Sequence, residues 1–438
     1  MPFLHGFRRI IYEYQPLVDS IVCAIGLEEG PDSPEERTVG AENEDDRHRA
    51  LLALLERESG SDMFVEGISY VLFKVAERGL VDVAEILLRY SADINFEDPV
   101  SYYNPLHVAV LRNRPNMVRL LVANGADIEK RDRIHESSPL DLASEECERL
   151  PCLLTLLDLG ADVNAKNRHG KTPLLHAFAC ADGLTVNNME NMRLLLQRGA
   201  DVNVMSLVEE TVESSLVFLV NEALDAPNAY DAVNIGNFCV RATRLLLAHG
   251  LELGCVTDDE PTLAQTSLEC FDRAFPLAVL LLQSRACFGS PSHVHCCQAG
   301  YKILFHGLQK ALQQCSDQSG ATELLEQAEV LLDFVRVNVP TLHLPPQLDL
   351  PVQDSHPYAQ SLLDLHRRVL EHKASPPALR CLCRAFIRSR LQRWPLDDKV
   401  QALPLPDTLK HFLLPEKTYT PKPGWDRFRF HNNLGSSH

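Results

Sequence analysis

The sequence lacks the features that mark membrane-spanning and secreted proteins. No stretch approaches the ~18 consecutive apolar residues that a transmembrane helix needs. Tyr12, Glu13 and Asp19 interrupt the apolar N-terminus, whereas a signal peptide needs an unbroken apolar core. The 13 cysteines are an odd number and no two lie three positions apart, so no disulfide framework is expected. We therefore expect a cytoplasmic protein, although a nuclear one would show the same pattern.

Positive charge is also scarce. The 438 residues include 42 Lys and Arg against 60 Asp and Glu, a net charge of −18. Nucleic acids and anionic membranes select basic surfaces, so neither is expected as the main partner. Residues 374–438 depart from this balance, with 11 basic and 5 acidic side chains, which predicts a separate role for the C-terminal region. A hydrophobic content of 45% is typical of a globular protein with a sizeable core.

Enzyme signatures are missing as well. The sequence contains no G-x-S-x-G, no Rossmann glycine fingerprint and no Ser-His-Asp signature. Gly170-Lys171-Thr172 resembles the end of a phosphate loop, but Ala165 stands where that loop needs its first glycine. His135-Glu136 begins a zincin-like motif, but Pro139 occupies the position of its second histidine. We expect neither catalysis nor a bound cofactor.

One cluster of metal-ligating residue types is present, formed by His293, His295, Cys296 and Cys297. Adjacent cysteines rarely both reach one metal ion, and no second cluster faces this one in the sequence. The prediction is therefore that no metal binds here, with a zinc site as the open alternative.

The sequence does contain an internal repeat. A small residue is followed by Ala-Asp, a β-branched residue and Asn or Glu, in four copies: Ser91–Asn95, Gly125–Glu129, Gly160–Asn164 and Gly199–Asn203. The aspartates are 34, 35 and 39 residues apart, and weaker copies follow at Gly250–Leu253 and Arg285–Cys287. Periods near 33 with this signature are typical of ankyrin repeats.

Each copy has the contents of a turn followed by two helices. A proline suits the first helical turn, and it begins the first helix of three copies, at Pro105, Pro139 and Pro173. Ser138 and Thr172 precede two of these prolines and are expected to cap free N–H groups. The glycine of each signature suits the left-handed residue that ends the second helix. His107 and His176 are expected to bond a neighbouring turn.

Stacking of these units predicts an all-α solenoid of about six repeats, with a possible degenerate seventh. The longer spacings place insertions near Ala181–Asn188 and within Val208–Asn237, expected as loops on the binding face. Residues 206–237 contain six acids and no Lys or Arg, which predicts an acidic lip that binds a basic target segment. Its candidate residues are Glu209, Glu210, Glu222, Asp225 and Asp231. A solvated mobile loop is the alternative.

The basic C-terminal region begins with an amphipathic helix. Its apolar stripe comprises Leu379, Leu382, Cys383, Phe386, Ile387 and Leu391, with arginines beside it. An ordinary core helix with a solvated arginine face would show the same stripe. Leu403-Pro404-Leu405-Pro406 follows, expected as an extended stretch because proline restricts its own φ and the residue before it.

These C-terminal motifs are similar to those of a known family. Ala378–Arg388 resembles the elongin-binding box of a SOCS box, and Leu403–Pro406 resembles the cullin box that selects cullin five. Repeats followed by both boxes resemble the ankyrin repeat and SOCS box family. The resemblance implies that Leu379, Leu382, Cys383, Phe386 and Ile387 bind elongin B and elongin C. It further implies that Leu403, Pro404, Leu405 and Pro406 bind cullin five, which carries a RING subunit.

The family's function would make this chain a non-catalytic subunit that presents an unidentified protein substrate for ubiquitination and proteasomal degradation. The alternative is an ankyrin scaffold whose C-terminal helix only caps the solenoid. The expected organisation is 1–27, an apolar helical segment; 28–64, an acidic linker and lead-in helix; 65–338, the repeats; 339–376, a Pro-rich connector and helix; 377–414, the SOCS box; and 415–438, a mobile tail.

Overall fold

The computed structural model describes residues 3–26, 44–178, 188–207, 209–253, 262–284, 294–315, 318–338, 358–374, 379–391 and 396–414. These residues form α-helices joined by turns, and their one β-bridge pairs Met205 with Thr211. The predicted all-α fold is therefore confirmed. None of the helices in these ranges is long and apolar enough to cross a membrane.

The chain divides into two compact units. The first comprises Met1–Ala179 and Glu190–Ala200, and the second comprises Cys180–Met189 and Asp201–His438. Several sequence predictions lie outside the described residues: the acidic stretch 28–43, the first insertion at 181–187, the weak repeat copy at 285–287, the Pro-rich stretch 339–357 and the tail 415–438.

The first unit begins with two helices and continues with helix pairs. Its elements are α1 (Phe3–Ala24), α2 (Glu44–Glu58), α3 (Phe64–Arg78), α4 (Val81–Arg89), α5 (Pro105–Leu111), α6 (Pro115–Ala123), α7 (Pro139–Glu145), α8 (Leu150–Asp158), α9 (Pro173–His176) and α10 (Met189–Gln197). A 3₁₀ turn, Cys147–Arg149, precedes α8. The first helices of successive pairs pack in the order α3, α5, α7 and α9, and α1 packs on α3. This stacking buries the apolar face that a single pair would expose.

The second unit contains three further pairs and four C-terminal helices. Its elements are α11 (Val212–Asp225), α12 (Ala229–Ala248), α13 (Leu263–Glu269), α14 (Phe271–Gln283), α15 (Val294–Gln314), α16 (Gln318–Asn338), α17 (Ala359–Ala374), α18 (Leu379–Arg390), α19 (Leu396–Gln401) and α20 (Asp407–Leu413).

The repeat signature ends each second helix through backbone geometry. Its glycines have left-handed φ values near 90°, at Gly125, Gly160, Gly199 and Gly250, which confirms the predicted caps. Ser91 occupies the same position in the first copy, with a φ of 67°. An L-residue pays a steric cost in this region that glycine does not. The first copy is therefore strained where the others are relaxed.

The aspartate and the final residue of each signature have separate structural roles. The Oδ1 atom of Asp127 accepts the backbone N–H of Glu129, which closes the turn. Glu129 Oε1 then accepts the N–H of Asp162 in the next copy at 2.8 Å, and Asn95 Oδ1 accepts the N–H of Asp127 at 3.3 Å. The final Asn or Glu thus bonds one turn to the next, which explains why a side chain with an acceptor oxygen occupies this position.

A second polar position was missed in the sequence. Five residues after each aspartate comes a buried polar residue: Asp98, Asp132, Asn167 or Ser206. Each donates its backbone N–H across the turn, as Asp132 does to the carbonyl of Ser137 at 3.1 Å. Their side chains also accept turn N–H groups; Asp132 Oδ1 accepts those of Ile134 and His135. Its constant offset from the repeat signature could have revealed this position.

Of the two predicted caps, one is confirmed and one is wrong. Ser138 Oγ accepts the N–H of Asp141 at 3.1 Å, and Asp141 Oδ2 accepts the N–H of Ser138 in return. Thr172 also stands at an N-cap, but its side chain makes no cap hydrogen bond.

The prediction of a loop within Val208–Asn237 is wrong. The added residues lengthen a helix pair: α11 has 14 residues and α12 has 20, against 7 in α5 and 9 in α6. Ala223 and Ala232 are buried within these extensions. The acidic segment is therefore a packed part of the second unit, because its helices share a core.

The connector helix α17 buries its apolar side, as predicted. Leu362 and Leu365 belong to the same core as α13–α16, and Leu370 packs against it. The hydroxyl of Tyr301 on α15 lies 2.7 Å from His366 Nδ1 on α17. The apolar side of α17 thus covers the last helix pair.

Candidate partner-binding sites

The helices α18, α19 and α20 form a small module with its own core. Val400, Leu413 and Leu414 are buried, and the partly buried residues packed against them are Ile387, Leu391, Leu403 and Leu405. This C-terminal module (residues 379–391 and 396–414) contains nine residues with a predicted partner-binding role. Its small core must therefore hold both predicted motifs in place.

An arginine lies inside this module. Arg388 on α18 is 2% exposed, and its Nη1 donates a hydrogen bond of 2.6 Å to the carbonyl of Leu413 on α20. The guanidinium of Arg384 lies 4.7 Å from the centre of the Phe412 ring. The alternative of a core helix with a solvated arginine face therefore does not describe Arg388. The arginine joins α18 to α20, because a buried charged group must be hydrogen-bonded.

The apolar stripe of α18 is divided between solvent and core. Leu379 is 76% exposed, Phe386 is 60% exposed and Leu382 is 41% exposed; Cys383 is exposed as well. These positions follow a spacing of i, i+3, i+4 and i+7, so they share one helix face. Ile387, the fifth predicted elongin contact, packs partly against the module's own core. The structure thus gathers four of the five predicted residues on one exposed apolar face.

The Leu-Pro motif is bent, so the predicted extended stretch is wrong. The N–H of Leu405 donates to the carbonyl of Leu403 at 2.8 Å, which makes a tight turn centred on Pro404. Both leucines pack on the module core, while Pro404 and Pro406 are exposed. Pro406 also stands at the N-cap of α20, with a φ of −57°. The two prolines therefore lie on the outer surface of a turn that the leucines anchor.

The predicted target-binding acids lie on three elements. Glu209 and Glu210 belong to the turn before α11, Glu222 and Asp225 are exposed near the end of α11, and Asp231 is in the first turn of α12. Asp231 Oδ2 accepts a hydrogen bond from Asn228 Nδ2 at 2.7 Å. Phe218, one turn before Glu222, is 63% exposed. Glu222, Asp225 and Phe218 form a surface with both charge and an apolar side chain.

The two histidines in the first helices of their pairs, His107 and His176, have structural roles. His107 Nδ1 accepts the N–H of Asn104 at 3.2 Å, and Asn104 Oδ1 accepts the N–H of His107. Burial lowers the pKa of His107 to about 4, although the negative charge of Asp132 in the next turn acts to raise it. His176 Nδ1 lies 3.2 Å from Glu145 Oε1 of the preceding repeat. Both rings are buried and serve the stacking.

The structure describes the motif that resembles a phosphate loop, but it does not describe the side chains of the His/Cys cluster. Gly170 is part of a repeat turn, with a φ of 77°, and the N–H of Asn167 donates to the carbonyl of Lys171 in the same turn. His293 and the side chains of His295, Cys296 and Cys297 lie outside the described residues. Within the described part of the chain, no group of three or more His, Cys, Asp or Glu could hold a metal ion.

Comparison with family models locates two kinds of module. A model for ankyrin repeats, in three copies, matches residues 41–132 and 72–167, and a single ankyrin repeat matches residues 169–206. The SOCS box model matches residues 375–414. The latter match includes all of the C-terminal module.

Relatives match along almost the whole length. The chain is 48% identical over 421 residues to Ankyrin repeat and SOCS box protein 6 of Pongo abelii and to that of Homo sapiens, which covers 95% of this chain and 98% of each relative. The Mus musculus protein is 46% identical over 417 residues, with 94% and 98% covered.

Proposed function

Because the chain belongs to the ankyrin repeat and SOCS box family, we propose that it is the substrate-recognition subunit of an elongin B/C–cullin five–RING ubiquitin ligase. A SOCS box after ankyrin repeats implies a substrate adaptor of a cullin–RING ligase. In the proposal, the exposed face of α18 binds the elongin B/C pair. The turn at Pro404 and Pro406 contacts cullin five, and the repeats bind the protein target.

The exposed apolar face of α18 is the observation that carries this proposal. Leu379, Leu382 and Phe386 present apolar side chains to solvent on a helix whose other side is anchored by Arg388. A contiguous exposed apolar surface on a soluble domain marks a partner site. The module core and the Arg388 hydrogen bond also hold α18 in place before a partner binds. Little conformational entropy is therefore lost when this helix docks.

A comparison of α17 with α18 argues against the scaffold alternative. A helix that only caps a solenoid buries its apolar side, as α17 does with Leu362 at 3% and Leu365 at 2% exposure. The apolar side of α17 therefore covers the last helix pair, whereas α18 approaches α16 and still leaves Leu379 and Phe386 exposed. The apolar face of α18 needs another partner, which supports an adaptor role.

The adaptor would act by proximity. Holding a target next to the ubiquitin thioester of the ligase raises the effective concentration of the target's lysines near it. Such an adaptor needs a target surface and a ligase surface on one chain, and no nucleophile of its own. The two surfaces proposed here belong to different modules, so each can be disabled separately.

Co-expression with elongin B and elongin C tests the proposal. We expect a stoichiometric complex that then recruits cullin five and its RING subunit. Replacing Leu379 and Phe386 together by Asp should abolish the complex, because charge would be buried in an apolar interface. The matched control is Leu207→Asp, at a side chain that is 79% exposed outside the module. A scaffold would give no elongin complex with the unchanged chain.

We also propose that the exposed acids near the end of α11 assist target capture. Glu222 and Asp225 are exposed acids in a segment without Lys or Arg, and Arg273 is the basic residue that reaches this end of α11, through the carbonyl of Leu224 at 2.8 Å. Charge of one sign steers an oppositely charged partner and raises the association rate most at low salt. A basic segment of the target would be favoured here.

Charge reversal tests this second surface without removing packed residues. Glu222→Lys with Asp225→Lys should slow target capture more at ~50 mM than at ~150 mM salt. Asp82→Lys with Glu85→Lys is the matched control, since both of these acids are exposed and equally spaced on α4. Equal capture by all three proteins at both salt concentrations would refute a role for the α11 acids.

A further inference from the structure

The first unit contains a pocket, and no residue of the C-terminal module lines it. It is open to solvent, has a volume of about 600 Å³ and lies between α3, the turn before α5, and α5 itself. Its lining comprises Tyr70, Phe73, Lys74, Glu77, Asp98, Val100, Ser101, Tyr103, Val108, Leu111, Arg112 and Arg149. Five of these twelve side chains are charged, so the pocket suits a ligand that has both an apolar and a charged group.

The apolar walls of this pocket are held rigidly. Tyr70 packs against Phe73 with ring centres 6.4 Å apart, and against Phe96 at 6.3 Å. On the opposite side, the turn is closed by the N–H of Asp98, which donates to the carbonyl of Tyr103 at 2.9 Å. Val100 at the tip of that turn is 75% exposed. The pocket can therefore accept a large apolar side chain without rearranging its walls.

The acids of the pocket already have partners. Glu77 Oε1 accepts two hydrogen bonds from Arg112, at 3.1 and 2.7 Å. Asp98 Oδ2 accepts the N–H and the hydroxyl of Ser101, both at 2.7 Å. Neither carboxylate is placed to attract a basic ligand, because each is already neutralised or hydrogen-bonded.

Lys74 is the cationic side chain of the pocket that is placed to bind an anionic group. The Lys74 ammonium lies 5.7 Å from the centre of the Tyr70 ring, and it forms no ion pair with any residue that the structure describes. Arg149, by contrast, is 9% exposed, pairs with Glu146 at 2.7 Å and Glu145 at 3.7 Å, and donates to the carbonyl of Leu142.

We propose that this pocket binds a target segment in which an Asp or Glu lies next to a large apolar side chain. The apolar side chain fills the space between Tyr70 and Val100, and the carboxylate pairs with Lys74. This inference rests on the proposed adaptor function and names the chemistry that its repeats would recognise. The pocket would recognise a short sequence motif of the target by direct contact, whereas the α11 acids would attract the target electrostatically over a longer distance.

A displayed library of random 12-residue peptides, selected on the full chain bound to elongin B and elongin C, tests the proposal. Enriched peptides should carry Asp or Glu within two residues of Phe, Tyr, Trp, Leu or Met. Lys74→Glu should weaken their binding at least ~10-fold by placing like charges together. Val100→Ser should weaken it ~2–5-fold by removing an exposed apolar contact. Lys166→Glu is the control, since it makes the same charge change at an exposed lysine outside the pocket.

Enrichment of peptides without an acidic residue would overturn the proposal, as would equal binding to the unchanged chain and Lys74→Glu. An empty selection would overturn it too. Co-purification with elongin B and elongin C tests the adaptor function separately, in the same preparation. If the chain fails to co-purify with elongin B and C, the adaptor function fails, and the peptide selection is then performed on the chain alone. Because Lys74 is half-buried and contacts the Tyr70 ring, thermal unfolding of Lys74→Glu is measured beside its binding, and a loss of binding at temperatures where the variant stays folded supports the pocket.

Discussion

The Nη1 atom of Arg388 donates a 2.6 Å hydrogen bond to the backbone carbonyl of Leu413. The two residues belong to α18 and α20, 25 positions apart, and Arg388 is almost fully buried. Leu413 is also a core residue of the module. The bond therefore fixes the helix that carries the exposed apolar face to the helix that follows the Pro404 turn.

Arg388→Met should loosen this module while sparing the repeats. The substitution leaves the Leu413 carbonyl without its donor, and a hydrogen bond to a charged group contributes about 1.5–3 kcal/mol. Hydrogen exchange should show faster opening of α20 and unchanged protection of α3–α8. Arg390→Met is the control, since Arg390 is exposed and contacts the Phe386 ring. Unchanged exchange in α20 would mean that the bond does not hold the module together.

Leu379→Ala with Cys383→Ala should weaken elongin binding at least ~30-fold. Truncating a leucine that is buried in the complex costs about 2–5 kcal/mol of binding free energy, and each ~1.4 kcal/mol is tenfold in affinity. Both side chains are exposed in the free chain, so its thermal unfolding should not change. Titration calorimetry with purified elongin B/C measures the loss. Equal affinity of the double variant would show that α18 is not the elongin-binding helix.

Replacing Pro404 and Pro406 by Ala should weaken cullin five binding about 5–30-fold. Each proline restricts the free chain by about 0.4–1 kcal/mol, so the alanine variant must lose more entropy on docking. Elongin binding should persist, because the α18 face does not include these prolines. Immunoprecipitation followed by quantification of cullins measures both effects. Recovery of cullin two in place of cullin five from the unchanged protein would contradict the cullin assignment.

Ser91→Gly should stabilise the first unit by about 0.5–1 kcal/mol. Ser91 has a φ of 67°, and the left-handed region costs an L-residue about 1–2 kcal/mol, part of which is offset by the greater freedom of glycine in the unfolded chain. Gly125→Ser is the matched reversal, because Gly125 has a φ of 95° and open space around its Cα. Urea unfolding should move in opposite directions for the two variants. A shift of the same sign in both would contradict the strain at Ser91.

His107 should make the first unit less stable as the pH falls from about 6.5 to 4. Burial lowers the pKa of its folded state to about 4, so between these values the unfolded chain binds a proton that the folded chain does not. The stability present above pH 6.5 is then reduced by roughly 2–4 kcal/mol. His107→Gln should flatten this slope, because glutamine does not titrate, and its side chain can still complete the cap. His169→Gln, at an exposed ring, should keep the slope of the unchanged chain.

The helix pairs could be predicted from the sequence because their determinants are local. Gly125 ends a helix through its own φ, and Asp127 closes the turn by bonding Glu129 two residues later. Such short-range bonds impose the same geometry wherever the residues recur. Their recurrence near every 35 residues then indicates stacking, and the family motifs indicate the C-terminal module.

The acidic segment shows where local information ends. Residues 206–237 contain no repeat signature, and their charge is equally compatible with a solvated loop or a helix face. Burial of Ala223 and Ala232 stabilises the helical form, and it depends on residues elsewhere in the second unit. The cavity beside Lys74 has the same origin, since α3, α5 and Arg149 meet only through stacking.

The apolar stripes of α17 and α18 show the difference most directly. Both were visible as helical periodicities, which depend only on the order of residues along the chain. Which stripe is covered depends on tertiary contacts: α17 shares the core of the last helix pair, whereas α18 is held by Arg388 and Ile387 with Leu379 and Phe386 facing solvent. Periodicity identifies an apolar face, but only packing decides whether that face remains available to a partner.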